Sequence, residues 1–349
     1  MKRFSILIAA LCLCLTGCGK QTTEATAQIF AMDTVMEVAA YGEHAEQAVK
    51  YTEKRIEELE NRLSRTKADS LVSGLNRDGS IRHLTYDYWN LIARAKEYRD
   101  ATNGAFDITI APVMDAWGFT GDSFRVPERS ELDELLKHVN SDEIQIQEEP
   151  AHSVTLGEGQ AIDLGGIAKG YTSDCVEAVF YDHEIENGKI SLGGNVFVLG
   201  TKPDGSDWRV GIKDPRNESG LAAILSLRDA YAITSGGYER YFEENGKTYH
   251  HIIDPATGYP ADSGLLSVTV VAADNGPDWA GAGNGAMCDA FSTALFVMGE
   301  EQALDFWRNG GYDFDLVLVT EDGRVVITAG LADRFEEVKD SGYTYETVS

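Results

Sequence analysis

The segment Lys189-Ile190-Ser191-Leu192-Gly193-Gly194-Asn195-Val196-Phe197-Val198-Leu199 decides how the chain is read. Ile190–Leu192 and Val196–Leu199 are apolar runs of strand length, set around a glycine pair suited to close backbone approach. Further strand-length runs follow at Arg209–Ile212, Ala223–Leu227, Tyr231–Thr234 and Leu266–Ala272. Asn245-Gly246, between Tyr241-Phe242 and Tyr249–Ile253, is a hairpin-type turn, and Glu321-Asp322-Gly323 joins Leu316–Val319 to Val325–Thr328 in a second hairpin. Ala286–Met298 reads as a helix. Upstream, Ile29 to Tyr41 reads as a strand interrupted at Met32-Asp33-Thr34. The spacing then predicts helices over Ala45–Leu63, Tyr86–Ala101 and Ser130–Val139, the last with Ser130 as N-cap. Short strands are expected at 144–146, 154–156 and 161–164, and a helix from just after Gly165-Gly166 to about Phe180. Helices first and strands later, without βαβ alternation, predicts an α+β fold of mixed, mostly antiparallel sheets with packed helices. No linker interrupts residues 29–349, which are expected to form one unit of one or two lobes.

Charge narrows the partners. Against 30 Lys and Arg stand 57 Asp and Glu, a net charge of −27, and a surface that acidic repels nucleic acid. A phosphate-bearing small ligand would need a metal ion or a local pocket to offset the field.

The N-terminus has its own logic. Met1-Lys2-Arg3 precedes an apolar run from Phe4 to Leu15, and Leu15-Thr16-Gly17-Cys18 follows. This reads as a signal peptide over residues 1–17, with a bacterial lipobox that leaves Cys18 as a lipid-bearing N-terminus. Residues 18–28 are then a polar tether, and the protein is expected outside the cytoplasm, anchored to a bacterial membrane without spanning it. Of five cysteines, only Cys175 and Cys288 fall in the folded part. Both lie in predicted helices, without Cys-x-x-Cys spacing, and are expected as two buried free thiols, against the alternative of a disulfide between them in an oxidising compartment.

Three clusters carry chemistry. Asp163-Leu164-Gly165-Gly166-Ile167-Ala168-Lys169-Gly170-Tyr171 places backbone N–H groups at a helix start beside a carboxylate, a geometry for an anion or for a metal shared with a phosphate. A bare Gly-Gly turn is also an ordinary structural device. In Cys288-Asp289-Ala290-Phe291-Ser292-Thr293, Asp289 and Thr293 share a helix face and offer hard oxygens of the kind Mg2+ takes when phosphates complete its shell. Alone, Asp289 also reads as a carboxylate near a helix N-terminus. His250-His251-Ile252-Ile253-Asp254-Pro255-Ala256-Thr257-Gly258 ends a strand in a fixed turn, where the two histidines point to opposite faces. One suits a general base and the other a structural histidine. Gly281-Ala282-Gly283-Asn284-Gly285 reads as a flexible loop.

Taken in order, Met32-Asp33-Thr34, Phe106-Asp107-Ile108-Thr109, Trp117-Gly118-Phe119, Asp163 to Tyr171, Gly193-Gly194-Asn195, His251 to Gly258 and Asp289 to Thr293 resemble the FAD:protein FMN transferase family of ApbE-like lipoproteins. The resemblance implies that residues 29–349 form an FAD-binding flavin transferase domain. It implies Mg2+-dependent transfer of FMN from FAD to a Thr or Ser hydroxyl of a partner protein, with release of AMP. It places metal ligands at Gly166, Asp289 and Thr293, with Ser292 at a position that is acidic in some relatives. Flavin contacts fall on Met32, Thr66, Ala105, Phe106, Asp107, Asp163, Lys169 and Ile253, and the base on His251. Two positions depart from the family pattern: Asp33 stands where Gly is usual, and Thr66 where a number of transferases have Tyr. Two other functions would use the same pocket, a Mg2+-dependent FAD pyrophosphatase and a non-catalytic flavin-binding lipoprotein.

Overall fold

The computed structural model describes residues 23–121, 123–217, 219–277 and 282–349. Nine strands form the main sheet: β1 (Glu24–Ala31), β2 (Thr34–Tyr41), β3 (Asn187–Leu192), β4 (Asn195–Leu199), β5 (Ala230–Gly236), β6 (Leu265–Ala273), β7 (Asp315–Thr320), β8 (Arg324–Thr328) and β9 (Thr344–Val348). They lie side by side in chain order. Every neighbouring pair is antiparallel except β8 with β9, which is parallel. The architecture is thus α+β with mostly antiparallel sheet, as the sequence predicts.

Side chains alternate between the two faces of these strands. Tyr231, Ile233, Leu316 and Leu318 enter a large core. There they meet helices α1 (Ala45–Leu63), α2 (Tyr86–Ala101), α3 (Ala168–Asp182) and α4 (Asn284–Met298). Ala230, Ala232, Val317 and Val319 enter a smaller core on the other face. A three-stranded sheet of Trp208–Lys213, Leu221–Leu227 and Phe335–Glu337 closes that face. Cys175 on α3 and Cys288 on α4 are free thiols. Among the described residues no helix is long and apolar enough to cross a membrane.

Several expectations are corrected. The stretch read as one interrupted strand is the β1–β2 hairpin, with Met32 and Asp33 at φ 49° and 59°. A two-residue turn that is left-handed at both positions matches the twist of the flanking strands. β1 starts at Glu24, so the last five residues of the expected tether are sheet. Ala25 and Ala27 alternate inward with Ile29 and pack on the large core, which holds that stretch in place. Residues 1–22, with the signal sequence and Cys18, lie outside the described residues. The helix expected from Ser130 starts at Arg129 after Glu128, without a side-chain cap, and tightens to a 3-10 turn at Leu136–His138. Residues 161–164 form no strand.

Candidate active site

One cleft of about 480 Å3 gathers residues that are far apart in sequence. Its lining includes Met32 and Asp33 of the β1–β2 turn, Thr66 after α1, Ala105 to Asp107 after α2, and Asp163 to Gly166 leading into Lys169 on α3. Ser235 of β5, His251 to Ile253, and Asp289 and Thr293 of α4 complete the part that matters chemically.

At one end, oxygens converge. Asp289 is buried at 3% exposure, and its Oδ2 accepts the Gly170 N–H at 2.8 Å. Burial pushes its carboxyl pKa up, against the stabilising charge of Lys169 and the backbone N–H of Gly170. The buried Asn195 side-chain amide also favours the charged form of Asp289. Thr293 Oγ1 lies 3.2 Å from Ser235 Oγ. A Cβ placed on Gly166 would sit 3.4 Å from Thr293 Oγ1 and 3.1 Å from the Phe106 ring, so a larger residue there would have to push that ring back by a few tenths of an ångström. The side chains gathered here are one carboxylate and two hydroxyls, Asp289, Thr293 and Ser235, hard donors of the kind that suit a cation completed by phosphate oxygens. Among the described residues no group of three or more His, Cys, Asp and Glu side chains could hold a metal.

Ser292 does not join this set. Its hydroxyl is fully buried, donates to the Asp289 carbonyl at 2.9 Å and meets Ser235 Oγ at 2.8 Å. One residue away on a helix is about 100° of rotation, which turns Ser292 behind Thr293. Ser235 takes the place beside Thr293 instead.

Opposite these oxygens the loop before α3 is tied down. Asp163 Oδ1 accepts the Gly165 N–H at 2.7 Å, and Oδ2 lies 3.2 Å from Arg65 Nη1. Arg65 also pairs with Asp115 at 2.7 Å and donates to Thr120 at 2.9 Å. Arg65 lines the cleft and was not anticipated. Asp107 is in the lining, but its carboxylate turns inward to Thr109 N–H at 2.8 Å and Ser141 N–H at 3.1 Å. It therefore shapes the loop that presents Ala105 and Phe106. Thr66 is exposed at the rim, its hydroxyl 3.0 Å from Ser64 Oγ.

The two histidines separate as alternation requires. His250 is satisfied on both nitrogens: Nε2 faces the Ala261 carbonyl at 3.0 Å, and Nδ1 accepts the Ile252 N–H at 3.3 Å. His251 lines the cleft, and its Nδ1 lies 3.1 Å from the Arg240 carbonyl. A carbonyl only accepts, so Nδ1 carries the proton and Nε2 the lone pair. Desolvation, helped by the nearby Lys169, pushes the His251 pKa down to about 4, so the ring is neutral at ordinary pH. Lys169 has no ion-pair partner among the described residues and its charge acts on both His251 and Asp289.

The first turn of α4 is ordered. The expected flexible loop at 281–285 is a helix start wherever it is described: the N–H groups of Gly283 and Gly285 are bound by the Asp174 carboxylate at 2.9 and 2.7 Å.

The chain resembles known proteins throughout. The model of the ApbE family matches residues 32–316. A protein named FAD:protein FMN transferase from Klebsiella pneumoniae is 34% identical over 82% of this chain and 86% of its own length. One of the same name from Treponema pallidum is 31% identical over 83% and 82%. The crystal structure of the ApbE protein of Thermotoga maritima superposes with a TM-score of 0.78 at 30% identity, covering 91% of this chain and 97% of that one.

Proposed function

The chain belongs to the ApbE family, and from that premise we propose that it is an FAD:protein FMN transferase that uses Mg2+, modifies a Thr or Ser hydroxyl of a partner protein and releases AMP. The observation that carries this reading is the convergence of Gly166, Asp289, Thr293, Lys169 and His251 on one cleft. The oxygen set fits Mg2+, with the Asp289 carboxylate, the Thr293 hydroxyl and a Gly166 backbone oxygen as its protein ligands. Bound there, Mg2+ supplies the charge that lets a diphosphate approach a chain of net charge −27.

The protein's own groups do the rest. Met32, Phe106 and Ile253 give the flavin apolar walls, and Lys169 offers an ammonium to the phosphates. His251 Nε2 takes the proton as the acceptor oxygen bonds to the FMN phosphorus. The phosphoanhydride bond then breaks, and AMP departs with its electron pair. Such transfer depends on in-line positioning and charge neutralisation more than on covalent help. Incubating a candidate acceptor with the protein, FAD and Mg2+ tests the reading by mass spectrometry, through a Thr- or Ser-containing peptide heavier by one FMN. The exposed, small Thr66 leaves the rim open and favours a second reading, FAD pyrophosphatase activity. AMP formed at the same rate with and without acceptor, with no adduct, would establish that reading instead. A protein that binds FAD and forms no AMP would be a flavin-binding lipoprotein.

The histidine also predicts a pH dependence. Its folded pKa of about 4 lies below the ordinary value of 6.5. The unfolded chain therefore binds the extra proton first, and stability falls as pH drops from about 6.5 towards 4. The ring stays a competent base across that range. NMR titration of the His251 ring should give a midpoint near 4, and the acid limb of AMP release by free enzyme should follow it. A midpoint near 6.5 would contradict the desolvated placement.

We propose further that a lipid on Cys18 holds the protein outside the cytoplasm. Cys18→Ala should release it from membranes or block its processing, read by fractionation and intact mass. Unchanged membrane fractionation in the same processed form would refute the anchor.

A further inference from the structure

The proposed ligands stand on two helices, and a reciprocal contact joins those helices where they cross. Gly170, in the first turn of α3, faces Gly285, in the first turn of α4. A Cβ on Gly170 would lie 2.1 Å from the Gly285 carbonyl oxygen, and one on Gly285 would lie 2.4 Å from that of Gly170. About one helical turn beyond each glycine stands an aspartate, Asp174 after Gly170 and Asp289 after Gly285. Asp289 accepts the Gly170 N–H at 2.8 Å. Asp174 accepts those of Gly283 at 2.9 Å, Gly285 at 2.7 Å and Ala286 at 2.9 Å. Each helix supplies the carboxylate for the other's first-turn N–H groups, which have no acceptor within their own helix.

The two carboxylates are not equivalent. Asp289 lines the cleft, whereas Asp174 is 4% exposed and outside it. The N-cap of α4 is Gly283, which has no side chain to serve these groups, so the cap comes from α3 and ties one helix to the other. We propose that Asp174 is a positioning residue: it pins the first turn of α4 to α3 and so sets where Asp289 and Thr293 stand relative to Gly166 and Lys169. This rests on the metal reading above. A carboxylate is required because three N–H groups converge on it. An amide would turn its own donors towards one of them.

The test is Mn2+ binding to FAD-loaded protein, read from loss of the free-ion EPR signal against an FAD blank, with FAD affinity measured without metal by flavin fluorescence. Asp174→Asn should bind Mn2+ at least about tenfold more weakly, the usual scale for losing a residue that orients a metal ligand. Its metal-free FAD affinity should match wild type, since the flavin walls come from other segments. Asp174→Glu keeps the charge and should recover part of the lost Mn2+ affinity; it also serves if Asp174→Asn does not fold. Leu225→Ala, in the smaller core on the other sheet face, is a control that lowers thermal stability and leaves Mn2+ affinity unchanged. Wild-type Mn2+ affinity in Asp174→Asn, or an equal loss in Leu225→Ala, would overturn the positioning role while leaving the metal reading intact. A wild-type protein that binds no Mn2+ would overturn the metal reading and this role together.

Discussion

Asp289→Ala is expected to abolish Mg2+-dependent release of AMP from FAD. The remaining proposed ligands, a Thr293 hydroxyl and a Gly166 backbone oxygen, are both neutral and cannot hold a strongly hydrated dication without a carboxylate. The substitution also leaves the Gly170 N–H without its acceptor. Asp289→Asn retains an acceptor oxygen there and should lose activity just as fully, which separates the charge from the cap. Thr293→Val keeps the shape and removes one oxygen, and high Mg2+ should partly restore its smaller loss. The measurement is AMP formed against Mg2+ concentration, with flavin fluorescence quenching to show that the pocket survives. Near-normal AMP release by Asp289→Ala at low Mg2+ would remove the metal assignment.

His251→Asn should slow transfer to the acceptor by about 10²–10⁴-fold, the usual scale for losing a general base. FAD affinity should hardly change, because the ring need not grip the ground state. His250→Gln is the informative companion. His250 bridges the Ala261 carbonyl and the Ile252 N–H, so its replacement should lower thermal stability and leave the rate per folded molecule nearly intact. Equal losses of binding and turnover in His251→Asn would make that residue a structural one.

Much of the architecture is legible because its signals are local. α1 and α2 run from Ala45 to Leu63 and from Tyr86 to Ala101, the bounds their apolar spacing indicates. The hairpin at Asn245-Gly246 is written in its turn residues, with φ 53° and 78°. The helices Leu71–Asp78 and Ala111–Trp117 span barely two turns, too few to display a period. The Met32-Asp33 turn was hidden because methionine seldom adopts positive φ. In the cleft, the residues that resemblance and spacing single out do assemble, apart from Ser292. What the sequence could not show was direction. Nothing local says that Ser292 turns back to Ser235, that Asp107 points inward, or that Arg65 reaches Asp163 from a distant segment. Those are consequences of packing between elements.

Strand β1 ties two ends of the molecule together. Its first residue, Glu24, follows Cys18 closely, and its last, Ala31, leads directly into the turn that lines the cleft. A fully extended run of residues 19–23 reaches at most about 18 Å. The eight residues of β1 add about 27 Å. If the lipid proposed for Cys18 sits in a membrane, the Met32–Asp33 end of the cleft would stand no farther than about 45 Å from the lipid surface along this path. The strand is in that sense a mast of fixed length. It would restrict the protein to acceptors that present their hydroxyl within a shallow layer above the membrane, whatever their local sequence.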